Sequence, residues 1–123
     1  MTKYYLWQTK VYEGYQPLMK VLEQALDRAQ VGKGRERHAD GDPFNQQLIC
    51  WIPRKLGLGF NLGQVIKKVC EIQRLTTYEA QIAELLDCIV YLAAAVIVLQ
   101  EEEQEKKSEE IRVGDANDIH TSM

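Results

Sequence analysis

The stretch that decides the fold is residues 88–99, CIVYLAAAVIVL, in which apolar side chains occupy every side of a helix. In a water-soluble protein, a helix of this kind is buried all round. Its twelve residues fall short of the roughly 20 that a membrane-spanning helix needs, and Glu84 and Asp87 precede it closely. The sequence therefore predicts the central helix of a soluble protein that has no membrane partner.

The ends of this helix are marked by polar patterns on both sides. Thr76 and Glu79 form a capping-box pattern at its start, and the charged run that follows 88–99 extends it to about Lys107. Small domains bury only some 60–70% of their surface, so a chain of this length offers limited cover for a helix that is apolar all round. We therefore expect the helix to lie at the centre of a homo-oligomer.

Two further helices show the apolar spacing of amphipathic helices. Pro17 opens the first, which glycines at 32 and 34 end. Asn61 and Gln64 form a capping-box-like start for the other, in which apolar residues recur at helical spacing as far as Leu75. Both have polar side chains on the opposite face, so each is expected to pack one face against the central helix.

A short helix is predicted between these two. Asp42 followed by Pro43 is typical of an N-cap and a first-turn proline. We expect the helix to run from Phe44 to about Ile52 and to end before Pro53, because the residue before a proline disfavours helical geometry.

These elements divide the chain into three parts. Residues 1–15 hold five of the ten aromatic side chains and predict an extended or β arm. Residues 16–107 form the helical domain, and residues 108–123 are expected to be an acidic, disordered tail. The predicted fold class is all-α, four-helix bundle-like, with a short extended or β N-terminal arm.

The charge of the chain is unevenly distributed. The net charge is −3, but residues 1–100 carry +2 and residues 101–123 carry −5. Between Arg28 and Arg74 the chain carries nine basic and four acidic side chains, a net +5. The overall charge makes nucleic acid an unfavourable partner, whereas the middle segment suits a small phosphorylated ligand.

The cysteines and histidines argue against disulfides and zinc. Cys50, Cys70 and Cys88 are odd in number, widely spaced and set in apolar runs, and the chain has two histidines. The N-terminal sequence also lacks the pattern of a secretory signal. We expect buried free thiols in a reducing cytoplasm.

Three acidic residues form a candidate metal site. Glu84 and Asp87 are three positions apart and share one face of the last helix. Glu71 lies on the preceding helix, and a short turn would bring it close to them. Clustered carboxylates repel one another, and Mg²⁺ would relieve that repulsion. The alternative is that Glu71 pairs with a lysine of its own helix, Lys67 or Lys68, and that the other two acids face solvent or a basic partner.

The segment 61–100 resembles the helical nucleotide pyrophosphohydrolases of the MazG-like and dUTPase-like superfamily, which carry ExxE followed by ExxD. Glu71 looks like the second acid of the first pair, and Glu84-Leu85-Leu86-Asp87 looks like the second pair. Lys68 stands where the first pair would have its other acid. The resemblance implies an all-α fold, oligomerisation, Mg²⁺ as cofactor and a nucleoside triphosphate substrate. The chain also resembles small proteins of phages and mobile elements.

A set of cations forms the candidate phosphate site. Because a helix N-terminus flanked by cations binds anions, basic side chains near the helix that opens at Asn61 are candidates. The alternative is a solvated basic loop balanced by neighbouring acids. The predicted phosphate-binding residues are Lys33, Arg35, Arg37, His38, Arg54, Lys55, Lys67 and Lys68.

Three functions are compatible with these patterns. The first is binding of a phosphorylated, nucleotide-class ligand by an oligomeric helical protein. The second adds Mg²⁺-dependent pyrophosphohydrolysis through Glu71, Glu84 and Asp87. The third is a non-catalytic phage or mobile-element protein that sequesters a nucleotide signal or serves assembly alone. Lys68 in place of an acid favours binding without catalysis.

Overall fold

The computed structural model describes the backbone of residues 4–6, 9–31 and 42–121, and the side chains of 9–31 and 42–114. The helices are α1 (Gln16–Val31), α2 (Leu48–Leu56), α3 (Gly59–Glu71) and α4 (Tyr78–Thr121). Short 3-10 helices span Phe44–Gln46 and Ile72–Arg74, and two strands, β1 (Tyr4–Leu6) and β2 (Thr9–Val11), precede α1. The prediction of an all-α protein is confirmed.

The N-terminal arm contains an antiparallel hairpin. β1 pairs with β2 in a register that places Tyr4 opposite Val11 and Leu6 opposite Thr9. A short strand is unstable alone, and here its partner comes from the same arm. Gly14 then turns the chain into α1 with a φ of 89°, a conformation that favours glycine.

Helices α1, α2 and α3 all pack against α4. The centre of the core lies where α2 meets α4, at Ile49, Cys50, Ala94 and Val98. Two small residues, Ala94 and Ala95, are buried, which allows the other helices to approach α4 closely. Cys50 and Cys88 are buried as expected, but Cys70 is exposed on α3, so the prediction for that thiol is wrong.

Helix α2 differs from its prediction because it continues through Pro53 to Leu56. Proline has no N–H, so the carbonyl of Ile49 loses its helical partner. The side chain of Asn61 donates its Nδ2 hydrogens to that carbonyl at 3.4 Å and to the carbonyl of Tyr91 at 2.9 Å. The fully buried Asn61 therefore links α2, α3 and α4.

Asn61 was also predicted to cap α3, and that prediction is wrong. The helix begins at Gly59, two residues earlier, after a turn at Gly57 with a φ of 87°. At the start of α4 the capping residue is Thr77, one position after the predicted Thr76. Its Oγ1 accepts a hydrogen bond from the N–H of Ala80 at 3.1 Å.

The structure describes the C-terminal segment as a continuation of α4, and the disordered tail stays a prediction. Helix α4 continues to Thr121, well beyond the predicted end at Lys107. Glu, Gln, Lys and Arg dominate 101–112, and these residues have high helix propensity, so the backbone remains helical without a core to cover it.

The middle of α4 is buried on one side only. Leu85, Leu92, Val96 and Leu99 are 43–51% exposed, on the side opposite Ala94 and Val98. The prediction of burial all round is therefore not met within one chain. By length and composition α4 is able to cross a membrane, a test that the core helix of a soluble protein also passes. The cytoplasmic location stays a prediction.

The link made by Asn61 generates a stability prediction. Replacing Asn61 with Ala removes both hydrogen bonds and leaves buried carbonyls without that donor, so we expect a loss of about 2–3 kcal/mol in the free energy of unfolding. Urea denaturation at fixed protein concentration measures it. Asn45→Ala, at an exposed position, is the control and should change stability by less than about 0.5 kcal/mol. Equal effects of the two variants would contradict the assigned role.

Candidate functional site

The predicted acids of α4 lie in a network of ion pairs. Arg28 of α1 binds Asp87 through two hydrogen bonds, Nε to Oδ1 at 2.6 Å and Nη2 to Oδ2 at 3.2 Å. Lys68 of α3 donates to Glu84 at 2.5 Å and lies 3.9 Å from Asp87. We call these four residues the charge network; its two cations and two carboxylates balance.

The charge network is partly shielded from solvent. The four side chains are 12–23% exposed, and the Nζ of Lys68 also lies 5.8 Å from the centre of the Tyr91 ring. The ring of Phe60 meets the Tyr91 ring edge-on, with the ring centroids 6.0 Å apart. Because the network joins α1, α3 and α4, it fixes the arrangement of these helices as well as the charges between them.

The carboxylates hold the two cations in their charged forms. The hydrogen bond to Asp87 raises the pKa of Arg28. Burial alone lowers the pKa of Lys68, but the hydrogen bond to Glu84 and the charges of Glu84 and Asp87 outweigh it, so the pKa is raised overall. Both cations therefore remain protonated at neutral pH.

The structure brings together two of the three predicted metal ligands. Glu84 and Asp87 lie one turn apart on α4, but Glu71 does not join them in a cluster. Within the residues that the structure describes, no group of three or more His, Cys, Asp or Glu side chains is placed to hold a metal ion. The Mg²⁺ site stays a prediction, and the observed partners of Glu84 and Asp87 are Lys68 and Arg28.

The predicted phosphate-binding residues divide into two sets. Lys33, Arg35, Arg37 and His38 lie outside the described residues. The others are distributed along α2 and α3, and the structure assigns two of them to acidic partners on α4. These are Arg54, Lys55, Lys67 and Lys68.

Arg54 is bound by Glu101 of α4. Its Nε and Nη2 donate to the two carboxylate oxygens at 2.7 and 2.8 Å, and Nη2 also donates to the carbonyl of Asn45. The guanidinium lowers the pKa of Glu101. Lys55 lies 5.7 Å from the centre of the Trp51 ring, and Lys67 is exposed on α3. In the described part of the chain, therefore, these four cations do not converge on one point.

Sequence reasoning missed Arg28 as part of the site. It stands in the last turn of α1, on the side assigned to solvent, and its partner Asp87 is 59 positions away. The sequence did contain an electrostatic indication that a further cation was needed. Two carboxylates on the buried side of α4 require cations, and Lys68 supplies only one.

An apolar groove lies between α1 and α4 and has a volume of about 520 Å³. Three polar residues line it, namely Gln30 at the end of α1, Asp42 and Gln47, and Gln47 donates a hydrogen bond to the carbonyl of Asp42 at 2.9 Å. Phe44 supplies an aromatic ring to the lining. The other walls are aliphatic, contributed by Leu22, Ala25, Leu26, Ala29, Ile89, Val90, Ala93 and Ile97.

The volume and lining of this groove are typical of a small-molecule site, which combines apolar walls with a few polar groups. Sequence reasoning did not identify it, because its walls are the inward faces of two helices far apart in the chain. Their apolar spacing indicated core packing, and the space left between them depends on the angle at which the helices meet.

Comparisons with protein-family models, with curated proteins and with solved structures find no match for this chain. The resemblance to the pyrophosphohydrolases therefore stays a prediction. The nucleotide substrate and the Mg²⁺ that this resemblance implies also stay predictions.

The charge network and the Arg54–Glu101 pair differ in burial, and this difference is testable. Asp87→Asn removes the carboxylate that binds the partly buried Arg28, leaves Glu84 as the remaining acid of the charge network, and should lower the free energy of unfolding by about 2 kcal/mol. Glu101→Gln removes a more exposed pair and should lower it by at most about 1 kcal/mol. Urea denaturation at fixed protein concentration compares the two. A larger effect of Glu101→Gln would contradict the structural role given to the network.

Proposed function

We propose that this protein binds a phosphorylated, nucleotide-class ligand and does not hydrolyse it. The groove between α1 and α4 takes the flat, weakly polar base, and the basic segment that connects α1 to Asp42 takes the phosphates. One observation carries this proposal. Gln30 precedes the basic segment and Asp42 follows it, and both residues line the groove.

Chain connectivity supports the assignment of the phosphates. Lys33 stands three positions after Gln30, and His38 stands four positions before Asp42. We therefore assign the phosphates to Lys33, Arg35, Arg37 and His38 because these residues stand in the short segment between two residues that line the groove.

The lining of the groove supports a base as the buried part of the ligand. Phe44 offers a ring for stacking, and the amides of Gln30 and Gln47 offer donors and acceptors for the edge of a base. A charged group would find little compensation between aliphatic walls. The phosphates are therefore expected outside the groove, toward the basic segment.

The charge network supports binding without catalysis. Glu84 and Asp87 already have cationic partners in Lys68 and Arg28. A divalent cation at these carboxylates would have to compete with both, in a partly shielded place where cations repel one another strongly. We therefore propose that ligand binding does not require Mg²⁺ at this position.

Hydrolysis is the second candidate function, because Glu84 and Asp87 do lie one turn apart on α4. It predicts release of pyrophosphate from a nucleoside triphosphate in the presence of Mg²⁺ and loss of that release in Glu84→Gln. If these results were found, the non-catalytic proposal would be wrong.

Calorimetric titration with nucleoside mono-, di- and triphosphates, with and without Mg²⁺, tests the proposal. We expect at least one nucleotide to bind with similar affinity in both conditions and to be recovered unchanged. The double variant Arg35→Gln/Arg37→Gln should weaken binding about 100-fold or more, since each of the two lost charge-assisted hydrogen bonds contributes roughly 1.5–3 kcal/mol.

Two further variants make this titration specific. Lys106→Gln/Lys107→Gln removes the same charge from an exposed part of α4 and should leave the affinity unchanged. Ala93→Leu places a larger side chain in the groove and should weaken binding while the far-ultraviolet circular dichroism is retained. Absence of binding by every nucleotide would contradict the proposal and leave assembly as the function.

A further inference from the structure

The outer face of α4 is an exposed apolar stripe with a regular spacing. Its residues alternate three and four positions apart, which is the spacing of a coiled-coil seam. We call this set the α4 seam. It consists of Tyr78, Ile82, Leu85, Ile89, Leu92, Val96 and Leu99.

Apart from Tyr78, the residue types along the α4 seam divide into two classes. Positions 82, 89 and 96 are the β-branched Ile, Ile and Val, whereas positions 85, 92 and 99 are all Leu. In heptad notation, positions 82, 89 and 96 are a positions, and positions 85, 92 and 99 are d positions. β-branched side chains at a positions combined with Leu at d positions favour a parallel dimer of helices over higher oligomers.

Most of the seam lies on the side of α4 that its own chain leaves uncovered, whereas Ile82 and Ile89 are partly buried and line grooves beside α1. Ala94 and Val98, on the opposite side, are fully buried, whereas Leu85, Leu92, Val96 and Leu99 remain about half exposed. From Tyr78 to Leu99 the seam extends about 32 Å along the helix. An apolar stripe of this length is larger than the scattered apolar residues normal on a monomer surface.

Charges beyond the seam fit the same arrangement. If the heptad register continues, Glu102 falls at a g position and Lys107 at the next e position. In a parallel pair these two positions of opposite chains face each other, so the glutamate of one copy meets the lysine of the other. Both residues are exposed within one chain.

The stripe fits a second copy better than a lipid bilayer. Helices α1 and α3 cover the other sides of α4 and place the charge network of Arg28, Lys68, Glu84 and Asp87 beside the same stretch of helix. A bilayer would surround these charges at the depth of its apolar core, where ionised side chains are costly. A second copy needs only the one uncovered face.

We propose that a second copy of this chain covers the α4 seam, forming a parallel two-stranded coiled coil that spans residues 78–99 and continues in the same register to Lys107. The proposal does not depend on the ligand, because the groove and the seam use different faces of α4 for most of their length. Ile89 is the residue common to both.

Sedimentation equilibrium of the full chain tests the proposal directly. We expect a dimer in aqueous buffer without detergent. The variant Leu92→Glu/Val96→Glu places charges in the seam and should weaken association about 100-fold or more, since central interface positions dominate affinity. Ile111→Glu is the matched control, because it changes an exposed apolar residue of the same helix outside the seam and should leave the dimer intact.

The direction of the two helices is tested by cysteine cross-linking. In a Cys70→Ser background, Glu103→Cys at the next a position should form an intermolecular disulfide on mild oxidation, because equivalent a positions meet in a parallel pair. Gln104→Cys, one residue away on the outer side, should not. A monomeric wild type, a dimer insensitive to the double variant, or solubility only in detergent would overturn the proposal. A dimer in which the Glu103→Cys variant fails to cross-link would overturn its parallel geometry.

Discussion

The need to cover α4 is the constraint on which the rest of this structure depends. Residues 88–99 of α4 carry apolar side chains in every direction, and apolar area removed from water contributes about 25 cal/mol per Å² to stability. The other three helices pack on it and bury Ala94, Ala95 and Val98, but they leave one face exposed. This incomplete cover explains both the groove beside α1 and the seam on the opposite side from the core.

Packing three helices on an apolar helix buries polar groups between them, and two arrangements supply partners for most of these groups. The Oδ1 of Asn61 is an exception, because it is buried without a hydrogen-bond partner among the described residues. The amide of Asn61 donates to carbonyls of α2 and α4, and the charge network joins α1 and α3 to the carboxylates of α4. Both lie between helices, so they specify which faces meet as well as contributing stability. The same network gives the predicted metal-binding acids a cationic environment.

Local sequence patterns predicted where most helices begin. Features that depend on contacts between residues distant in the sequence were not predicted. The starts of the helices opened by Pro17 and by the capping motif near Thr77 could be placed to within one residue, because caps and prolines act on their immediate neighbours. Pro53 was misassigned as a helix end because the compensating donor, Asn61, comes from another helix. Arg28 was missed because its partner is distant in sequence. The acids of α4 were predicted as a group, but their partners required the packing of three helices.

The central claim is that the outer face of α4 is covered by a second copy in solution, and carbene footprinting at several protein concentrations tests it most directly. The account predicts that Leu92, Val96 and Leu99 are weakly labelled at high concentration and become more strongly labelled on dilution, while Ile111 is labelled equally throughout. Strong labelling of all four residues at every concentration, as their exposure in a single chain implies, would contradict it.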